Sequence, residues 1–228
     1  MTATTWNEPG RATAAAASER ALALAEVSAL QASCEGRVLV GADAAAVAVL
    51  ANRWSAGVAP VSVVLARCAH DVGMAVRFGA RVGLGVVVLG PGARRHRIGT
   101  SADGLAVAAD GLAVVVDGLD AIDVQIGAST WTARVGAAAR WAELRDSLDA
   151  AGVDTSTLPR HAEPIGSLPV DDDGLVSSVQ VVDASGRTRW MYHRLRSTRF
   201  DDGSPSPADD VVVTAVELRS ATDPTGPH

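Results

Sequence analysis

Two stretches of the sequence decide the fold. Residues 61–99 read VSVVLARCAHDVGMAVRFGARVGLGVVVLGPGARRHRIG, and residues 111–141 read GLAVVVDGLDAIDVQIGASTWTARVGAAARW. Apolar, largely β-branched runs at Val61–Leu65 and Val86–Leu89 predict buried strands. The segment 71–80 between them predicts a helix that Asp71 caps, with its apolar side chains turned inward. Since a helical crossover joins two parallel strands, we expect these two strands to be parallel neighbours.

A glycine-bearing loop follows the second of these strands. Gly90, Pro91 and Gly92 come directly after Leu89, and Arg94, Arg95 and Arg97 come next. Glycines after a buried strand let the backbone approach a ligand closely, and their N–H groups can face an anion. The loop is therefore a candidate phosphate site, and the alternative is an ordinary solvated turn with a charged tip.

The rest of the chain also shows apolar patterns that are typical of strands and of helices. Alternation and turn residues predict a hairpin around Gly127-Ala128, a helix over 141–150 that ends before Gly152, and a second hairpin around residues 184–186. The other predicted elements are helices over 14–31 and 43–54, strands over 37–40, 112–116 and 211–218, a loop over 154–170 and a mobile segment over 201–210.

Composition bounds the class of protein. With 228 residues, of which 48% are hydrophobic, the chain is long enough for one sizeable core or two small subdomains. Its net charge of −6 argues against nucleic acid or an anionic membrane as a main partner. Neither Cys34 nor Cys68 belongs to a CxxC or Cys/His cluster, so no metal site is expected. No secretion signal or membrane-spanning run is seen, and we expect a cytoplasmic location.

The order of these motifs resembles the FAD-binding domain of the vanillyl-alcohol oxidase superfamily, which is also called the PCMH-type domain. The similarity is greatest to the berberine-bridge-type FAD-linked oxidoreductases of bacteria. The matching pieces cover about four fifths of the chain, and they are Gly36–Trp54, Val63–Arg67, Asp71–Ala80, Gly83–Leu89, Gly90–Arg94, Gly111–Val116, Thr132–Trp141 and Val211–Arg219.

The resemblance implies an α+β fold, the PCMH-type FAD-binding fold of two α+β subdomains, without the substrate domain. It implies an N-terminal extension and helix over 1–34, a PCMH-like domain over 35–220 with subdomains at about 35–89 and 111–220, and a disordered tail over 221–228. It also implies that cofactor contacts lie in the glycine loop, in a second segment and on the closing strand. These residues are Leu89, Gly90, Pro91, Gly92, Ala93, Arg94, Ile165, Gly166 and Val212.

Several positions depart from the family pattern. Ala93 stands where the family has its covalent-flavin histidine, unless an expanded loop brings His96 there, and no cysteine lies near 158–165 for the second covalent link. The second glycine-rich segment is shortened, and three carboxylates at 171–173 stand in its place, where they repel phosphate. Any bound FAD is therefore expected to be noncovalent, and no catalytic residue is assigned.

Three functions stay open. The first is a noncovalent FAD-binding protein, an oxidoreductase whose substrate half is another chain. The second is a degenerate, flavin-free relative, a pseudoenzyme that acts as a scaffold or partner-binding protein, and the third is a small-molecule binder that uses the vacated cleft. A protein partner or a homo-oligomer fits each of them.

Overall fold

The computed structural model describes residues 25–40, 62–90, 97–98, 111–128, 130–167, 175–192 and 211–220. These residues form two five-stranded sheets and the helices that pack on them. The predicted helix over 43–54, the acidic run 171–173, the segment 201–210 and the tail lie outside the described residues. Of the first predicted helix, residues 25–33 are described, and they are helical (α1).

The first sheet has a parallel centre and antiparallel edges. Its strands lie in the order β1-β2-β5-β3-β4, with β5 parallel to both β2 and β3. Their bounds are Arg37–Val40 (β1), Ser62–Leu65 (β2), Val86–Leu89 (β3), Arg97–Ile98 (β4) and Leu112–Val115 (β5). The strands β3 and β5 are buried throughout, as their continuous Val/Leu/Ala composition predicts for parallel strands that are covered on both faces.

One helix crosses from β2 to β3 and supplies much of the first core. It spans Ala69–Val82 (α2) and buries Val72, Val76 and Phe78, as the sequence predicts. Gly83 ends it in the left-handed conformation, with φ of 72°, which glycine adopts without steric penalty. The predicted cap was wrong, because Cys68 is the N-cap residue and Asp71 lies inside the first turn.

Two further expectations about the first sheet were wrong. The strands β2 and β3 are parallel but are not neighbours, because β5 lies between them and pairs with both. The strand at 112–115, which was grouped with the second subdomain, is thus the middle strand of the first sheet. Local patterning identifies a buried strand, but it does not give the position of that strand in the sheet. The predicted chain limits of the subdomains otherwise stay a prediction.

The second sheet is antiparallel. Its strands lie in the order β6-β7-β10-β8-β9, with bounds Ile122–Ile126 (β6), Trp131–Gly136 (β7), Val176–Asp183 (β8), Thr188–Tyr192 (β9) and Val211–Arg219 (β10). Both predicted hairpins are confirmed, β6–β7 by the pairing of Ile126 with Trp131 and β8–β9 by that of Val182 with Thr188. The predicted helix Trp141–Ala150 (α3) is also confirmed.

The two sheets share one core at their junction. One face of the second sheet packs against α3 through Trp131, Leu144 and Leu218. The opposite face contributes Val182 and Val212 to the first core, beside residues of α2 and β5. The β8–β9 turn lies on α2, since the Arg77 guanidinium donates a hydrogen bond of 2.8 Å to the Gly186 carbonyl.

Candidate functional site

The three parallel strands of the first sheet end at the same edge, which we call the carboxyl edge. The backbone N–H of Ala66 donates to the Val115 carbonyl at 2.9 Å, and that of Val116 donates to the Leu89 carbonyl at 2.9 Å. These bonds continue the ladder past the ends of β2, β5 and β3. In open α/β sheets, ligands bind outside the carboxyl ends of the strands. This edge is therefore the candidate site.

Gly90 is the first residue of the glycine loop and the only residue of that loop from 90 to 96 that the structure describes. Its φ is +135°, a conformation that L side chains rarely adopt. A Cβ placed there would lie 2.8 Å from Cγ2 of Val116 and 2.9 Å from Oδ1 of Asp117. Glycine at 90 thus lets the backbone pass directly against the end of β5, and its role in binding a ligand stays a prediction.

Asp117 is the residue that the sequence analysis missed. From the sequence alone, an aspartate followed by glycine suggests no more than a turn, but the structure places the carboxylate of Asp117 beside Gly90 at the carboxyl edge. Asp117 is exposed and follows the central strand β5 after Val116. Its position just after a buried parallel strand was the available signal, since such positions meet at one edge of the sheet. A carboxylate here repels a phosphate and accepts hydrogen bonds from hydroxyl groups.

The structure places the other predicted cofactor residues at three different locations. The side chain of Leu89 is buried in the cluster on one face of the first sheet, and Val212, at 0% exposure, is packed in the core at the junction. The side chain of Ile165 is buried in the core of the second sheet. Pro91, Gly92, Ala93 and Arg94 lie outside the described residues, as does His96. Only Leu89 and Gly90 are therefore seen at the carboxyl edge.

The backbone of the second predicted segment is already used in internal hydrogen bonds. The N–H of Ile165 donates to the Ala139 carbonyl at 2.8 Å, and that of Gly166 donates to the Ala137 carbonyl at 2.9 Å. A Cβ on Gly166 would lie 2.6 Å from the Cβ of Ala137. Close packing thus explains the glycine at 166 without a ligand, and a pyrophosphate would have to compete for both donors. The assignment of Ile165 and Gly166 to the cofactor stays a prediction.

A second carboxylate, which unlike that of Asp117 is buried, lies near the start of α2. Asp71 has 0% exposure, and its two oxygens accept hydrogen bonds from the backbone N–H groups of Glu35 at 2.8 Å, Gly36 at 3.0 Å and Arg67 at 2.8 Å. The Arg67 side chain, which follows β2, is exposed beside this network. Asp71 therefore joins the end of α1, the end of β2 and the first turn of α2, and it holds the carboxyl edge in place rather than facing a ligand.

The described residues contain no candidate metal site and no candidate membrane-spanning helix. Within the described ranges, no three His, Cys, Asp or Glu side chains are grouped closely enough to hold a metal ion. None of the described helices has the length and apolar character needed to cross a membrane.

Comparison with known proteins bears on the fold. No family model and no curated protein matches the sequence. Among solved structures, the chain is similar to BBE-like 1 of Physcomitrella patens, with a TM-score of 0.51 and 20% identity over 84% of this chain and 43% of that one. It is also similar to a variant of Phl p 4 described as a glucose dehydrogenase, with a TM-score of 0.55 and 19% identity over 85% of this chain and 43% of that one.

The chain thus spans less than half the length of the solved structures that it resembles. At this level of identity the likeness concerns the fold and leaves activity and ligand open. The two sheets and the parallel centre of the first sheet match the expectation of two α+β subdomains drawn from the sequence. The chain therefore has the PCMH-type fold of two α+β subdomains.

Proposed function

We propose that the chain binds FAD noncovalently and weakly, with the pyrophosphate at the carboxyl edge of the first sheet. The observation that supports this most directly is Gly90, whose positive φ and tight approach to β5 begin a glycine loop at the end of a buried parallel strand. A helix crossover and a parallel sheet around such a loop form the setting in which dinucleotides bind in open α/β sheets. The fold, shared with proteins named BBE-like, gives the same expectation.

We expect weak binding because few hydrogen-bond donors are available to the FAD pyrophosphate. A buried pyrophosphate has to be matched by N–H groups or cations. Pro91 has no N–H group, and the amides of Ile165 and Gly166 already donate to carbonyls. Each charged hydrogen bond that is missing weakens binding by about 1.5–3 kcal/mol, and each 1.4 kcal/mol is about tenfold in affinity. We therefore expect a Kd of about micromolar or poorer.

Any bound flavin is expected to be noncovalent. Ala93 has no nucleophilic side chain, and no cysteine lies in the segment 158–165. FAD, when bound, supplies hydride-transfer chemistry. The chain contributes binding and orientation, and no described side chain is assigned as a catalytic base. We expect no oxidase activity from the isolated chain.

Calorimetric titration of FAD into the purified chain tests the proposal. Replacement of Asp117 by asparagine removes one negative charge from the carboxyl edge, so affinity should rise by about fivefold, equivalent to about 1 kcal/mol of Coulomb repulsion at roughly 6 Å. Asp146→Asn on the exposed face of α3 makes the same change in net charge away from the edge and should leave affinity unchanged. Arg94→Ala should weaken binding.

The outcomes separate two functions. Heat of binding that responds to Asp117→Asn and Arg94→Ala, but not to Asp146→Asn, supports the proposed site. Absence of any FAD signal favours the second candidate, a flavin-free relative that serves as a scaffold or binds a protein partner. The observation in favour of this second function is the internal use of the Ile165 and Gly166 amides. Flavin fluorescence that stays with acid-precipitated protein would contradict the noncovalent assignment.

A further inference from the structure

The two cysteines of the sequence lie on segments that the structure joins. Cys34 directly follows α1, and Cys68 is the N-cap residue of α2. Both are free thiols, and both are half-buried. The sequence gives no reason to pair them, because 33 residues separate them and no CxxC spacing is present.

Hydrogen bonds fix the segment around Cys34 against the first turn of α2 on both sides. On the N-terminal side, the ring Nε2 of His70 lies 3.2 Å from the Ser33 carbonyl. On the C-terminal side, the N–H groups of Glu35 and Gly36 donate to the Asp71 carboxylate. The same carboxylate accepts from the N–H of Arg67, the neighbour of Cys68. The residues that flank Cys34 and the residue that precedes Cys68 thus all form hydrogen bonds with side chains in the first turn of α2.

The segment is also fixed against its own helix. The side chain of Gln31, in the last turn of α1, donates to the Gly36 carbonyl at 3.0 Å and accepts from the Val38 N–H at 2.6 Å. Cys34 is therefore held between two anchored neighbours and cannot move away from α2 without breaking several of these hydrogen bonds. This restraint favours a reaction between the two thiols over a reaction of either thiol with a second molecule.

We propose that Cys34 and Cys68 are a redox pair that closes to an intramolecular disulfide, covalently joining the end of α1 to the start of α2. The inference is independent of flavin binding. The bond would add a covalent link between two of the segments that Asp71 joins by hydrogen bonds, so that the stability of the first sheet responds to the redox state of its surroundings.

The oxidant is a small disulfide such as oxidised glutathione. The thiolate of Cys68 attacks one sulfur of the oxidant, the S–S bond of the oxidant breaks, and one glutathione thiolate leaves. The thiolate of Cys34 then attacks the Cys68 sulfur of the mixed disulfide, and the second glutathione thiolate leaves. Two electrons pass from the protein to the oxidant, and the two protons of the cysteine thiols are taken up by the two departing thiolates.

Closure is expected to be slow at neutral pH. Burial raises the pKa of the Cys34 thiol to about 11, with added contributions from the charges of Asp71 and Cys68. Burial also raises the pKa of Cys68, although the backbone N–H groups of Asp71 and His70 act in the opposite direction, and the Asp71 and Glu35 charges raise it further. Since the thiolate is the nucleophile, the closure rate should rise about tenfold for each pH unit between about 8 and 10.

The test oxidises the folded full chain with oxidised glutathione at about pH 9 and follows the intact mass. We expect the loss of two hydrogens and, after trypsin digestion without reductant, a cross-link between the peptides 21–37 and 68–77. The oxidised protein should have a Tm about 5 °C or more above that of the reduced protein, because the bond restricts the unfolded chain. Cys34→Ser and Cys68→Ser should each stop at one glutathione adduct.

The unfolded chain in urea is the matched control, because its thiols ionise at about the ordinary pKa of 8.5 and its closure rate should level off above about pH 9. The proposal is overturned if the folded wild-type chain keeps two thiols, gains two glutathione adducts, or forms mainly disulfide-linked dimers under conditions that close the unfolded chain. A closure rate in the folded chain that levels off as in urea would show that the two thiols react only after unfolding.

Discussion

Replacement of Asp71 by asparagine should destabilise the protein more than any exposed charge substitution. The Asp71 carboxylate is fully buried and accepts three backbone hydrogen bonds, one from Glu35 on Oδ1 and two from Gly36 and Arg67 on Oδ2. Asparagine has the same shape but only one acceptor oxygen. In its better orientation that oxygen faces Gly36 and Arg67, and the amide nitrogen faces the N–H of Glu35.

The magnitude follows from that geometry. One buried N–H group loses its acceptor, which costs about 1–3 kcal/mol, and two charge-assisted bonds become neutral ones, which costs roughly 0.5–1 kcal/mol each. Partial relaxation and exposure near Glu35 reduce the sum. We therefore expect the free energy of unfolding to fall by about 2–4 kcal/mol, and Tm to fall by about 5–15 °C for a chain of this size.

Urea denaturation followed by circular dichroism measures the change, with Asp146→Asn as the control for loss of one exposed charge. The control should shift the unfolding free energy by less than about 0.5 kcal/mol. Native-state hydrogen exchange adds a local readout, since the Glu35 amide should lose most of its protection. If Asp71→Asn behaves like Asp146→Asn in both measurements, the assignment of Asp71 as the joint of the first sheet is wrong.

Two further predictions concern the second sheet. Burial acts to raise the pKa of Asp183, but the hydrogen bonds that its carboxylate accepts from Ser185, Arg187 and Arg189 together outweigh burial and lower the pKa to about 2. Since the folded pKa lies below the unfolded one, the ionised Asp183 carboxylate stabilises the fold above about pH 4, and this stabilisation is lost as pH falls toward 2. After allowance for solvent screening, Asp183→Asn should remove about 1 kcal/mol of pH dependence from acid titrations of stability. Gly166→Ala should lower the unfolding free energy by about 1–3 kcal/mol, because its Cβ would meet the backbone of Ala137 at 2.8 Å, whereas Gly85→Ala, whose Cβ meets nothing within 4 Å, should be neutral in the same melts.

Most of the helices and strands could be predicted from the local sequence, because the apolar residues of each one recur with the period of a helix or of a strand. The run Val86–Leu89 and the alternation in Thr130–Val135 are complete within a few residues, so no distant partner is needed to recognise them. The inner face of α2 was predicted correctly for the same reason. The strand order could not be predicted, since β5 reaches its central place through two pairings with residues 26 and 50 positions earlier in the sequence, and a local apolar run does not say which strands will lie on either side of it.

Residues of the candidate site could be predicted only where the residue type and its neighbours in the sequence are enough to suggest a role. Gly90 was identified because glycine after a buried strand has a local physical meaning. Asp117 was not, because its importance comes from the neighbour that the fold brings to it. Gly166 is a different case, since close packing against Ala137, 29 residues away, is enough to explain the glycine, and its assignment to the cofactor stays a prediction.

The central position of β10 in the second sheet has a consequence for the order of events during synthesis. This strand pairs with both β7 and β8, so before it emerges from the ribosome the earlier strands are two separate hairpins without a common sheet. Isolated hairpins are marginally stable in water. The strands of the first sheet all lie before residue 116, so this sheet can pair first, and its core is completed when Val182 and Val212 arrive from the second sheet. The nascent chain should therefore acquire protease resistance in two steps. The second step should come only after Arg219 has left the exit tunnel, and a stalled chain that ends before Val211 should expose the apolar edges of β7 and β8 to chaperones.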